Sequence, residues 1–277
     1  MAALLALTGG LMWGVGDFFG GLASRRIAVI TVVVVSQAIG LAGLLIWVVA
    51  TRDPFPGVVE LLPAAGAGVA VFAGITAFYR GLAIGAMGIV APITAAGPVV
   101  PLTVDAAHGS TPTALQWLGI AFILLGVATL SWEGRASGQA RIASGAGLAI
   151  LAALGFGLYF VGIDAGADES ASWAVVAARI TAVSLGALVA LASARSLRAP
   201  RSMLLMLVAV GLIDTSANVL VAAATTYGAA GIVAVLSSLY PIVTMVLAWI
   251  IVGERLGATK RAGGVVAVAG AAFVAAG

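Results

Sequence analysis

The chain is dominated by long apolar runs separated by short polar or turn-forming connections. A transmembrane helix needs roughly 20 apolar residues to cross about 30 Å of hydrocarbon. Ten such runs can be read, at about 2–22, 27–50, 58–83, 88–107, 115–132, 145–164, 172–194, 203–226, 228–252 and 259–276. They use nearly all of the 277 residues and leave no room for a separate soluble domain. The residues are 62% hydrophobic and 8% charged, where an ordinary soluble domain carries roughly 25% charged residues. A cytosolic enzyme and a disordered chain are thereby excluded. The absence of Cys excludes a disulfide scaffold and thiolate chemistry, and the single histidine, His108, excludes a multi-His metal site. The surplus of +3 charges is too small for a nucleic-acid surface and suits residues flanking a bilayer. The expectation is an all-α polytopic membrane protein with ten transmembrane helices, no cofactor, and the lipid bilayer as its principal partner.

Punctuation sets the boundaries. Ser24-Arg25-Arg26 stops the first run, and Thr51-Arg52-Asp53-Pro54-Phe55-Pro56 stops the second, where two prolines forbid continuation. The polar segment His108-Gly109-Ser110-Thr111-Pro112-Thr113 caps the fifth, and 133–144 is the longest polar stretch. The boundary at 225–228 is the least defined, because 203–252 holds one charge, Asp214. The first run has no positive leader, and Trp13-Gly14-Val15-Gly16-Asp17 interrupts it. It therefore reads as a retained span rather than a signal peptide.

An internal repeat runs through the sequence. At an offset of 143, Gly88-Ile89-Val90-Ala91 falls on Gly231-Ile232-Val233-Ala234, and Pro98 on Pro241. At 144, Gly119 and Gly126 fall on Gly263 and Gly270; at 142, Gln37 lies opposite Arg179. At 141, Gly14-Val15-Gly16 matches Gly155-Phe156-Gly157, with Phe19 on Phe160. Residues 1–140 and 141–277 thus form two repeats of five spans each. Five is odd, so the second repeat enters the membrane from the opposite side, giving an inverted-topology 5+5 arrangement of the kind transporters use. Connections after odd-numbered spans hold 11 Lys and Arg residues, while the other side holds only Arg52 and Arg179 lies within a span. The positive-inside bias places both termini outside, in a membrane expected to be a bacterial cytoplasmic (inner) membrane.

The second half closes with Tyr227-Gly228-Ala229-Ala230-Gly231-Ile232-Val233-Ala234, Tyr240-Pro241, Gly253-Glu254-Arg255-Leu256, Gly263 and Gly270. The first half carries Tyr79-Arg80-Gly81-Leu82-Ala83, then Ile89-Val90-Ala91-Pro92 and Pro98, and opens on Trp13-Gly14-Val15-Gly16-Asp17-Phe18-Phe19. In order and over the whole length, these motifs resemble the EamA-type members of the drug/metabolite transporter superfamily. The resemblance implies a ten-helix carrier of small organic solutes, often amino acids or related metabolites, usually moving them outward. Two departures stand out. His108-Gly109-Ser110 occupies the place of the Gly-Glu-Arg turn in the first half, and Gln37 stands where the second half has Arg179.

Ionisable groups inside a membrane are expensive, at about 2.5–3.5 kcal/mol or more at the centre of a span, which singles out Asp17, Arg179 and Asp214. Asn218 lies one turn from Asp214 and shares its face. Together they form either one wall of a solute cavity, able to hold an ammonium group, or an interhelical hydrogen-bonded pair. Arg179 can bind a solute carboxylate bidentately or neutralise a carboxylate such as Asp214; Gln37 falls at the corresponding depth. Asp17 reads either as a coupling carboxylate or as a salt-bridge partner of Arg80 or the Arg25-Arg26 pair. Arg80 and Asp105 lie near span ends and can snorkel to the interface. Glu254 beside Arg255 reads as a cap or gate pair, and His108 as solvated.

Pro92, Pro98, Pro101 and Pro241 each free a helix carbonyl, and Pro98 and Pro241 at matched depth suggest paired hinges. Trp13, Tyr79, Tyr159, Tyr240 and Trp249 can line a cavity for an apolar or aromatic group, whereas Trp47, Trp117, Trp132 and Trp173 fit interfacial anchors. Gly119/Gly126 and Gly263/Gly270 give the fifth and tenth helices small-residue faces suited to close packing against each other or a second copy, leaving monomer and homodimer open. With no P-loop, no zinc motif and no Gly-x-Ser-x-Gly, the reading is a secondary transporter rather than an enzyme. Its leading form exports amino acids, including aromatic and bulky apolar ones, by alternating access; the alternative is a proton-coupled efflux pump for cationic drugs.

Overall fold

A computed structural model of the chain describes residues 1–24, 26–84, 94, 96–130, 139–194, 196–252 and 257–277. All regular structure among them is helical. The first half contributes α1 (Ala2–Ser24), α2 (Val29–Thr51), α3 (Leu62–Ile84), α4 (Val99–Ala107) and α5 (Ala114–Leu130). The second contributes α6 (Gln139–Ala167), α7 (Ala171–Ala192), α8 (Arg201–Thr225), α9 (Ala230–Ser237), α10 (Tyr240–Leu247) and α11 (Ala258–Ala276). Seven helical stretches are long and apolar enough to cross a membrane, and two shorter apolar helices, Ala114–Thr129 and Arg261–Ala276, accompany them. With the fourth span, of which α4 is the final part, the count is ten. Helix is the expected outcome even for the Val-rich α2, because lipid offers no partner to an unpaired backbone group.

Local chemistry sets the helix ends. At the start of α5 the Thr113 N–H donates to Gln116 Oε1 at 2.9 Å and the Gln116 N–H to Thr113 Oγ1 at 3.2 Å, a reciprocal cap. Ser170 caps α7 by accepting the Trp173 N–H at 3.2 Å. Among the described residues just two non-glycines have positive φ, Arg52 at 54° and Ala194 at 49°. They end α2 and follow the end of α7, 142 residues apart, so the second span of each repeat stops with the same left-handed turn. The sixth helix begins at Gln139, six residues before its expected start at 145; the polar segment before it is short of helix breakers at 139–144.

Connections that follow even-numbered spans gather with the termini at one end. Met1, Ser110, Thr111, Tyr227, Gly228 and Gly277 line one surface cavity there. Also at this end, Ser170 Oγ donates to Asp53 Oδ2 at 2.9 Å and Trp173 Nε1 to the Asp53 carbonyl at 3.0 Å. At the far end Thr31 Oγ1 donates to the Ser196 carbonyl at 3.2 Å.

Packing follows an exchange rule. α3 packs on α6 as α1 packs on α8, and α3 on α7 as α2 on α8; α2 meets α7, α4 meets α9, and α5 meets α11. Glycines set how close these pairs come. A methyl group added at Gly119 would lie 2.6 Å from the Gly270 carbonyl oxygen, and one at Gly126 2.6 Å from that of Gly263. One at Gly14 would lie 2.5 Å from the Tyr240 carbonyl and from Val243 Cβ, while one at Gly157 would lie 2.6 Å from the Gly97 carbonyl and from Val100 Cβ. Gly14 and Gly157, Tyr240 and Gly97, and Val243 and Val100 each stand 143 residues apart. The offset of 141 expected for the first helices is therefore corrected to 143. The Gly-x-Gly match had paired glycines that contact different neighbours.

The expected single helix over 228–252 is also corrected. α9 ends at Ser237, α10 begins at Tyr240, and a five-residue π-helix, Ala248–Val252, follows. Pro241 has no N–H to donate one turn back, at Ser237, where α9 ends. Ser237 and Ser238 hydroxyls donate to the Val233 and Val235 carbonyls at 2.8 and 2.7 Å. In the fourth span a turn at 96–98 precedes α4, which starts just after Pro98. Gly88, Pro92, Glu254, Arg255, Arg25 and Trp132 lie outside the described residues.

Candidate functional site

The two interruptions open onto a central cavity of about 90 Å3, room for roughly seven waters at about 10–15 Å3 each. Its polar side is built on α8. Asp214, near the middle of that helix, receives Nη2 of Arg179 from α7 on Oδ2, the one ion pair among the described residues. The same oxygen receives Gln37 Nε2 from α2 at 3.4 Å. Arg179 is 5% exposed and Gln37 6%, so the charge pair is held away from lipid while Asp214, the more open partner, faces the cavity. One turn further, Asn218 donates from Nδ2 to the Asp214 carbonyl at 2.6 Å, and its Oδ1 accepts the Tyr159 hydroxyl of α6. This locks the phenol and the amide together. Gln37 Oε1 is buried with no partner among the described residues.

Asp17 enters from α1, beside α8: a methyl group at the neighbouring Gly16 would make only ordinary contact with Asp214 Cβ, at 3.7 Å. The Tyr79 hydroxyl meets the Asp17 carboxylate from behind, so Tyr79 supports the cavity without lining it. The apolar side is aromatic. Trp13 and Phe160 stand edge to face with centroids 5.9 Å apart, and Val71, Ile75, Phe156 and Val175 continue the wall. Gly97, Pro98, Ser237, Ser238 and Tyr240 line the cavity from the two helix interruptions. Pro241 occupies the first turn of α10, beside Tyr240.

Of the residues singled out in the sequence, Trp13, Asp17, Gln37, Pro98, Tyr159, Arg179, Asp214, Asn218 and Tyr240 share this one cavity. The Asp17–Arg80 salt bridge is not formed: Asp17 turns inward to Tyr79, and Arg80 is exposed. Trp249 is 52% exposed and does not line the cavity. Asp105, read as a snorkelling side chain, instead accepts the Gly231 N–H at 2.6 Å. Trp47, Trp117 and His108 are exposed.

Sequence reasoning missed Phe156, Phe160, Val71, Ile75, Thr94, Ser237 and Ser238. The corrected offset of 143 would have found most of them. It sets Phe156 opposite Trp13, Phe160 opposite Asp17, Val71 opposite Asp214, Ile75 opposite Asn218 and Thr94 opposite Ser237. Among the described residues no group of three or more His, Asp and Glu side chains could hold a metal ion. Chemically, the cavity offers a guanidinium and two carboxylates on one side and flat apolar surface on the other.

A sequence model of the EamA-like transporter family matches residues 1–132 and 143–276. No curated protein matches. Among solved structures, one crystal structure described simply as that of a protein is similar over 98% of this chain and 95% of that one, with a TM-score of 0.78 at 18% identity. At that identity the likeness speaks for the fold.

Proposed function

Since the chain belongs to the EamA-like transporter family, whose members are membrane transporters of small solutes, we propose that it exports amino acids or closely related metabolites, aromatic and bulky apolar ones among them. The observation that carries this reading is the Arg179–Asp214 pair facing an aromatic wall within one cavity. A zwitterion can exchange into such a pair without stranding a charge: its carboxylate takes the guanidinium fork, and its ammonium takes Asp214 and Asp17. Trp13, Phe156 and Phe160 then pack on the side chain. The cavity is built within one chain, so a monomer suffices for binding. The outward direction follows the family resemblance, and the positive charge at one end favours termini outside the cytoplasm.

Alternating access is the mechanism the fold suits. Two inverted repeats, 1–140 and 141–277, rock about the cavity, and the interruptions at Pro98 and Pro241 serve as hinges. A second reading, proton-coupled efflux of cationic drugs, draws on Asp17, whose carboxylate meets a phenol and no cation among the described residues.

Counterflow in liposomes with labelled amino acids and organic cations tests both readings. Amino-acid exchange lost in Arg179→Gln supports the first. Exchange of cations alone, with a pH dependence abolished by Asp17→Asn, turns the reading to the second. No exchange of any amino acid overturns the first.

A further inference from the structure

α4 and α9 are the parts of the two interrupted spans that lie on the termini side of the cavity, and they pack against each other. At their crossing Leu102, Val233 and Leu236 are buried in one cluster. Gly231, in the first turn of α9, sits directly on α4: a methyl group there would lie 2.7 Å from Leu102 Cα and 2.8 Å from Asp105 Oδ2. The Asp105 carboxylate, in the last turn of α4, accepts the Gly231 N–H at 2.6 Å. This N–H is one of the first-turn donors that an α-helix leaves without an internal partner, and a carboxylate there is further favoured by the helix dipole.

The other repeat has no such acid. At an offset of 143, Asp105 corresponds to Ala248 and Leu102 to Met245, so no acid stands at the equivalent place. A rocking carrier whose two ends are closed by equivalent parts of its two repeats is given a preference by whichever end has the extra bond.

We propose that Asp105 is a positioning residue for transport, a latch that joins α4 to the N-terminus of α9 and biases the cavity toward closure at the termini end. It acts by holding two helices together and makes no contact with solute.

The chain contains no Cys, so a single reporter thiol is clean. Ser238→Cys places it on the cavity wall, and Tyr227→Cys, at an exposed position of the termini end, identifies that face. The rate of labelling by a membrane-impermeant maleimide from that face is read in vesicles. Asp105→Ala in the Ser238→Cys background is expected to label about tenfold faster than its parent, the scale of one charge-assisted hydrogen bond. Asp105→Asn, which keeps a neutral acceptor, is expected to rise about threefold. Gly231→Ala wedges the same crossing from the other helix and should match Asp105→Ala, keeping the test open if that variant does not fold. Asp53→Ala, which removes a hydrogen bond at the same end between other elements, should leave the rate unchanged. Unchanged labelling in all the Asp105 and Gly231 variants that remain monodisperse overturns the proposal. So does an equal rise in Asp53→Ala or at Tyr227→Cys. No solute is needed, so the outcome is independent of which solute the cavity carries.

Discussion

The two repeats supply the same positions to the cavity and very different chemistry. Where the second repeat places Arg179, Asp214 and Asn218, the first places Gln37, Val71 and Ile75; where the first places Asp17 and Trp13, the second places Phe160 and Phe156. The scaffold keeps its symmetry: Gly119 against Gly270 and Gly126 against Gly263, Gly14 against α10 and Gly157 against α4, and left-handed turns at Arg52 and Ala194. Close backbone contacts tolerate no added atoms, so both copies are held to one solution. A cavity wall has free space beside it, and there the copies are free to differ. The repeats share their contact faces and differ in their cavity walls.

The largest effects should come from making the walls alike. Arg179→Gln, which copies Gln37, leaves Asp214 uncompensated; it should reduce solute exchange on the order of 100-fold, the effect of losing a desolvated charge-assisted contact, and destabilise the protein by about 3–5 kcal/mol. Adding Asp214→Val, which copies Val71, should restore most of the stability but none of the transport. Unfolding in detergent and counterflow in liposomes read the two quantities separately. Recovery of transport in the double variant would show that the asymmetry is ornamental.

Next come changes to the shared scaffold. Gly119→Val and Gly263→Val should each cost on the order of 3 kcal/mol by forcing α5 and α11 apart, and by the same amount within error. Unequal losses in unfolding midpoint would limit the symmetry to the backbone trace. Asp17→Asn should slow exchange about tenfold, consistent with loss of one interaction to a charged group, while leaving the unfolding midpoint nearly unchanged. At the small end, Arg52→Gly and Ala194→Gly should each stabilise by roughly 0.5–1 kcal/mol, because glycine adopts positive φ without a Cβ clash. Arg80→Gln should alter stability by less than about 0.5 kcal/mol and transport not at all.

Helix positions were legible in the sequence because a bilayer admits little else. α1 and α2 run within two residues of the expected 2–22 and 27–50, and the uncertain boundary at 225–228 is where α8 gives way to α9. The interruption before Pro241 was signalled by the proline, but the extent of the break depends on Ser237 and Ser238 taking up carbonyls, which no local pattern announces. Charged members of the site were legible for the reason that burying them needs a purpose. Phe156, Val71 and Ile75 were not, since an apolar side chain facing a cavity is spelled like one facing lipid. The partner of Asp17 was misjudged because sequence gives depth and not azimuth: Arg80 follows Tyr79 directly, yet about 100° of helix rotation puts one on solvent and the other on the carboxylate.

Most of the close helix pairs join one half of the chain to the other, α1 to α8, α3 to α6, α5 to α11. Neither half owns a core. During synthesis the first five spans must enter the membrane with their future contact faces bare, and they can settle only after the sixth, eighth and tenth have arrived. The chain behaves as an obligate pair of subunits that happen to be covalently joined. Its assembly is governed by long-range partners, so a slow final docking step is built into the order of the helices.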